Sequence, residues 1–181
     1  MTFQVEVGTG LDDSNSYASV AEADSYFTDR LNTTWTALGT SVKQSNLIKA
    51  TDYIDQRFGL RFIGSRVFEE QALAWPRSDT GQSTLDFNED TEVGVIPVKL
   101  KYACIEYALR ANDGPLAPDP EISDSGVSMV TTMEKVGPIE TRSERASGTS
   151  NAASVNILRP YPGADMYLNG LLIPGGNRTF R

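Results

Sequence analysis

The residue types that most often carry enzymatic chemistry are sparse in this chain, and their spacing is poor. There is no histidine, which removes the commonest general base, metal ligand and triad member together. Carboxylates can work in pairs, and Asp12-Asp13 and Glu69-Glu70 are the visible candidates. Sequence neighbours rarely converge on one substrate atom, so solvated surface charge is the better reading of both. Asp86-Phe87-Asn88-Glu89-Asp90 matches the opening of a calcium loop. The match then fails, because Thr91 stands where the sharp turn wants glycine and Pro97 where the bidentate glutamate belongs. Gly8-Thr9-Gly10 is followed by none of the residues a phosphate loop needs and reads as a turn. The single cysteine, Cys104, lies among Leu100, Ala103, Tyr107 and Ala108 at helical spacing. It is expected in the core, and one cysteine cannot build an intrachain disulfide framework. The expectation is a protein with no catalytic centre, no metal site and no cofactor.

One stretch could serve nucleic acid. Arg57, Arg61 and Arg66 are interleaved with Phe58 and Phe62, and Trp75 follows shortly. Single-strand platforms combine cations with stacking aromatics in this way. The same arginines could equally pair with acidic loops of a neighbouring subunit. Net charge bears on the choice. The chain carries −8 overall, and residues 1–119 hold 18 acidic and 10 basic side chains, the whole excess. An acidic body repels phosphate at long range.

The elements that must position these groups are mostly helical. Ser19 and Glu22 have the form of a capping box, followed by Val20, Ala23, Phe27 and Leu31 on one face. Ser41 and Gln44 resemble a second box before the best helix, where Leu47, Ala50, Thr51, Ile54 and Phe58 recur at helical spacing and Gly59 offers a stop. Pro97 fits the first turn of a third helix ending at Asn112-Asp113-Gly114-Pro115. Gln71–Arg77 gives a turn or two of helix at most, and residues 78–94 form an acidic loop. MTFQVEVGTG is neither basic nor apolar enough for a secretory leader, and no apolar run approaches the ~18 residues of a membrane span.

The reading is therefore a mainly α protein, with a small helical bundle over residues 1–118. Residues 119–181 form a long extended C-terminal arm that includes a β-hairpin around Val136-Gly137-Pro138. The arm is rich in Gly, Pro, Ser, Thr and Asn, and residues 120–181 hold six acidic and six basic side chains, a net charge of zero. Apolar side chains without a core of their own usually bury on another molecule. The candidate contacts are Val127, Met129, Val130, Met133, Val136 and Ile139 in the hairpin. In the tail they are Leu158, Tyr161, Tyr167, Leu168, Leu171, Leu172 and Ile173.

Several stretches in order, GTGLDDSNSYASVAEADSYF, LIKATDYIDQRFGLRFIGSR, QALAWPR, IPVKLKYACIEYALR and EKVGPIE, together with the closing YPGADMYLNGLLIPGG, resemble the head–tail adaptor proteins of tailed bacteriophages. Members of that group are often labelled as resembling the primosomal single-stranded-DNA-binding protein. The resemblance implies a virion structural protein at the neck, a homo-oligomeric dodecameric ring beneath the portal protein. Tail or stopper proteins would lie on its other side, and the arm would reach portal or neighbour. DNA would pass through the channel without specific binding, with Asp86, Glu89, Asp90 and Glu92 as candidate channel-facing acids. The inherited label implies the alternative, a single-stranded-DNA-binding replication accessory using Arg57, Arg61, Arg66, Phe62 and Trp75.

Overall fold

The computed structural model describes residues 2–118, 129–136, 139–146 and 161–173. Its order is α1 (Val20–Thr28), α2 (Thr33–Thr36), α3 (Thr40–Phe58), β1 (Ser65–Arg66), β2 (Arg77–Ser78), α4 (Val98–Ala111), β3 (Met129–Val136), β4 (Ile139–Ala146) and α5 (Pro162–Leu168). The fold class is mainly α with one small antiparallel hairpin, as read from the sequence. The chain separates into two compact units. One joins residues 1–116 to 160–181, and the other is Ala117–Arg159.

The periodic stripes fix the body. Leu47, Ala50, Thr51, Ile54 and Phe58 of α3 are all buried, as are Leu100, Ala103, Cys104, Tyr107 and Ala108 of α4. The Ser19 box forms: the Glu22 amide donates to Ser19 Oγ at 3.2 Å, and the Ser19 amide donates to Glu22 Oε2 at 2.7 Å. The Ser41 box does not form. α3 begins at Thr40, and the Gly39 carbonyl, in extended backbone, takes the amides of Val42 and Lys43. Gly59 is not a left-handed stop either. Its φ is −50°, and the chain tightens into a 3-10 turn over Gly59–Arg61 before leaving extended at Phe62. Gln71–Arg77 holds no helix.

Outside the helices, polar side chains do the work of secondary structure. Glu6 is 1% exposed, and its carboxylate accepts from the amides of Gly8, Gly10 and Leu11 and from Ser14 Oγ at 2.8–3.1 Å. Three amides and a hydroxyl offset the cost of burying that charge. Gly8 is required here: its φ is +103°, and a Cβ would stand 2.0 Å from the Gly94 carbonyl oxygen. Gln71 is buried with its amide fully used, accepting from the Val67 and Phe68 amides and donating to the Leu73 and Pro76 carbonyls. Arg77 donates to the Ile63, Ala74 and Gly64 carbonyls. Between them the two side chains hold residues 63–77 with only the two-residue pair β1–β2 as ladder.

Asp55 anchors this loop to α3. Tyr17 Oη donates to Asp55 Oδ1 at 2.5 Å, and the Ala74 amide donates to Asp55 Oδ2 at 2.9 Å. Burial pushes the Asp55 carboxyl up to about 6, against the pull of those two hydrogen bonds. A raised folded-state value means the folded protein favours the protonated acid. Asp55 therefore costs stability as pH rises from the unfolded value near 4 to about 6, on the order of 3 kcal/mol in all. Glu22 acts oppositely and in a lower window. Burial raises its carboxyl, but the hydrogen bonds from Lys101 and Ser19 win and hold it below its ordinary value. The expected outcome is a decline in unfolding free energy between about pH 4 and 6 that Asp55→Asn flattens, read from denaturant titrations across that range. An unchanged profile in the variant would remove Asp55 as its source.

Candidate functional site

Residues 161–173 are part of the body and not of an extended arm. Tyr161, Ala164, Leu168, Leu171 and Leu172 are all buried in the main core cluster. Pro162 sits in the first turn of α5, where its missing N–H costs nothing. Beyond α5 the chain makes a 3-10 turn over Asn169–Leu171 and then bridges Phe62 through Leu172. The Ile63 amide donates to the Leu171 carbonyl and the Ile173 amide to the Arg61 carbonyl. The signal for this was present in the sequence. Ala164, Leu168, Leu171 and Leu172 follow the i, i+4, i+7, i+8 pattern of a helix face.

A polar latch holds α5 in place. Asp165 accepts from Arg57 at 3.3 Å and from the Tyr107 hydroxyl, and Arg57 Nη1 also donates to Tyr53 Oη at 2.6 Å. Burial first, and then the Asp165 carboxylate, raises the Tyr107 phenol above its ordinary range. The rings of Tyr53, Tyr107 and Tyr161 pack edge to face around this group. On the other flank Tyr26 donates to Glu106 at 2.7 Å and shares a 3.1 Å hydrogen bond with Tyr167.

The same docking closes the segment between α4 and α5. Tyr161 Oη donates to the Leu116 carbonyl at 3.1 Å, so the chain leaves and re-enters the body at one place. Residues 117–159 are therefore an excursion anchored at both ends. Their reach is bounded at about 70 Å, half their contour at ~3.3 Å per residue. Within it, β3 and β4 pair antiparallel from Met129↔Ala146 to Val136↔Ile139, across the expected turn position. Met129, Val130, Met133, Val136 and Ile139 occupy that ladder. Val127, Leu158 and the Gly137-Pro138 turn lie outside the described residues. In the tail, Tyr167 is half-buried and Ile173 exposed.

The arginine–aromatic stretch does not form a stacking platform. Phe62 is 1% exposed and Trp75 fully buried, their rings meeting edge to face at 5.9 Å. Arg57 is engaged with Asp165 and lies over Phe58, and Arg66 donates to the Gln71 carbonyl. Arg61 and Arg66 are both exposed residues, and the Arg61 guanidinium lies 5.8 Å from the Phe58 ring. Cys104 is buried beside Thr51 Oγ1, and burial pushes its thiol up to about 11.

The acidic loop is more ordered than its composition suggests. Asp86 is half-buried and accepts from the Thr80 amide and hydroxyl at 2.8 and 2.6 Å, which holds its carboxyl below the ordinary value. Asn88 Oδ1 is taken by the amides of Asp90 and Thr91, and Asn88 bridges Val93. Glu89, Asp90 and Glu92 are exposed. Among the described residues no three His, Cys, Asp or Glu side chains gather closely enough to hold a metal, and no helix is long and apolar enough to cross a membrane.

Docking of α5 separates two deletions. Truncation after Pro118 removes three buried leucines at about 1.5–3 kcal/mol each, which consumes most of an ordinary domain's stability. Replacing residues 119–159 by a short Gly/Ser linker keeps them. The excised chain is expected to melt cooperatively within a few degrees of the full chain, and the truncated chain to lose its transition, both by circular dichroism.

No curated protein and no solved structure matches the chain. A family model described as "Putative DnaT-like ssDNA binding protein" matches residues 1–180. With that match running along almost its whole length, the chain belongs to this DnaT-like family.

Proposed function

We propose that this family member is a structural assembly subunit, a head–tail adaptor in a ring beneath the portal at the neck of a tailed-phage virion. Tail or stopper proteins would be its other neighbours, and DNA would pass through the ring. The observation that carries this reading is the fate of the side chains a single-strand platform needs. Phe62 and Trp75 are buried, and Arg57 and Arg66 are hydrogen-bonded within the chain. The polypeptide instead builds a second compact unit around β3 and β4. An isolated two-stranded pair is marginal in water and presents two hydrogen-bonding edges, which suits strand addition to a protein partner. The net charge of −8 opposes retention of phosphate.

The family description favours a second reading more directly, that of a single-stranded-DNA-binding accessory. Its contacts would then exclude Phe62 and Trp75. The candidates left are Arg61 and the basic residues of the hairpin, Lys135, Arg142 and Arg145.

Titration of the full chain against a labelled oligo-dT strand at low salt separates the readings. The adaptor reading expects no saturable change in anisotropy up to about 100 µM protein, whereas salt-sensitive binding near ~1 µM would overturn it in favour of the second. Electron microscopy of the protein mixed with portal rings of the same phage supplies the positive test. An added ring of density is expected, and bare portals at saturating protein would contradict the proposal.

A further inference from the structure

The turn that ends α1 holds a residue that its own chain does not explain. The Asn32 amide donates to the Phe27 carbonyl and the Leu31 amide to the Thr28 carbonyl, both at 3.0 Å. That pair of hydrogen bonds is a Schellman stop, whose left-handed position is usually glycine. Here the position is Leu31, at φ +53°, where a Cβ crowds the backbone and a glycine would not. No burial offsets the strain, because Leu31 is 88% exposed. Beside it the exposed Arg30 lies 3.4 Å over the Tyr26 ring and takes part in none of the ion pairs among the described residues. An apolar side chain held out on a strained turn next to an unpaired cation has the form of a docking knob.

The body also carries a matching socket. A depression of about 450 Å³ is lined by Thr9, Phe68, Phe87, Glu89 and Glu92. The two phenyl rings meet edge to face at 5.3 Å, and Phe68 remains 40% exposed. Glu89 and Glu92 take part in none of the ion pairs among the described residues, and Glu92 is itself in left-handed backbone at φ +52°. Apolar surface with two uncompensated carboxylates complements an apolar side chain with an uncompensated arginine.

Knob and socket lie at opposite ends of α3. Near its start, Lys43 Nζ and Trp35 Nε1 both donate to Asp24 at 2.8 Å, which fixes the turn bearing Leu31. Near its end, Asp55 takes the Ala74 amide and holds the loop that carries Phe68. Lys43 and Asp55 are about 18 Å apart along the helix at ~1.5 Å per residue. With both segments pinned in this way, one chain cannot seat its own Leu31 in its own depression.

We infer that Leu31 of one copy enters the Phe68–Phe87 depression of the next, with Arg30 set against Glu89 and Glu92. Such a contact joins unlike surfaces head to tail, the kind that closes a ring when its rotation allows. On the adaptor reading, on which this contact rests, it is the seam between subunits. Glu89 and Glu92 then line that seam instead of the channel.

The test mixes two full chains in equal amounts under mild oxidation. One carries Thr9→Cys at the depression and the other Thr33→Cys, an exposed position just beyond Leu31, while Cys104 stays buried in both. The mixed disulfide is expected to form about tenfold faster than either symmetric one. Arg30→Glu on the second chain should remove that advantage, as should Glu89→Lys with Glu92→Lys on the first. The two reversals combined should restore it. Leu31→Gly should remove the advantage yet raise the melting temperature of the free protein, because glycine relieves the turn. A mixed disulfide no faster than the symmetric ones would overturn the inference, and so would an advantage indifferent to charge reversal. A lower melting temperature for Leu31→Gly would overturn it too, since Leu31 would then serve its own chain. Added density on portals without the mixed disulfide sinks this contact alone. The mixed disulfide with bare portals sinks the adaptor reading and leaves the contact standing.

Discussion

The structure depends on the return of the chain to its own core after residue 160. Asp165 enters a socket of Arg57, Tyr53 and Tyr107, while Leu168, Leu171 and Leu172 complete an apolar face that α3 and α4 leave open. A seven-residue helix such as α5 is far too short to persist alone in water. Its apolar contacts must supply the ordering free energy, and the charged latch fixes where along the body they form. Asp165 and Arg57 both keep part of their side chains in solvent. Their pairing therefore gives register more than raw stability.

That constraint changes what the middle of the chain can be. A free C-terminal arm could sweep widely and would lose its ordering entropy only on meeting a partner. An excursion with both ends held at Leu116 and Tyr161 has roughly half the reach and a smaller loss of entropy on docking. It also survives changes in its own length, since loop closure depends only weakly on residue number. A subunit that must present the same hairpin many times around a ring gains from such anchoring. A protein that tracks a flexible strand of DNA would instead want exposed aromatics on the body, and the body's two largest candidates, Phe62 and Trp75, are spent in its core.

Legibility in the sequence followed the source of each element's stability. α3 and α4 were readable because burial against one another imposes a 3.6-residue period: Leu47, Ala50, Thr51, Ile54 and Phe58 and the α4 stripe are buried, while Ile48, read as widening the α3 stripe, is half-buried. The hairpin was readable from alternation around Gly-Pro. Residues 62–80 were not, because Gln71, Arg77 and Asp55 hold them through side-chain to backbone hydrogen bonds that leave no period. α5 was missed for a different reason. Its stripe is present, but Gly163 and the Asn169-Gly170 pair interrupt it, and surrounding composition outweighed four well-placed apolar residues. Most consequential for the site, Arg57 was read as a contact for DNA or a neighbour, and its partner was Asp165, 108 residues further along the chain. No local pattern reveals such a pair.

Amide hydrogen exchange on the intact protein addresses the central claim most directly. If the chain closes on its own core, amides of residues 165–173 exchange as slowly as the interiors of α3 and α4, through the same global opening. Free exchange across 165–173 beside protected α3 and α4 would contradict it and return the segment to an arm.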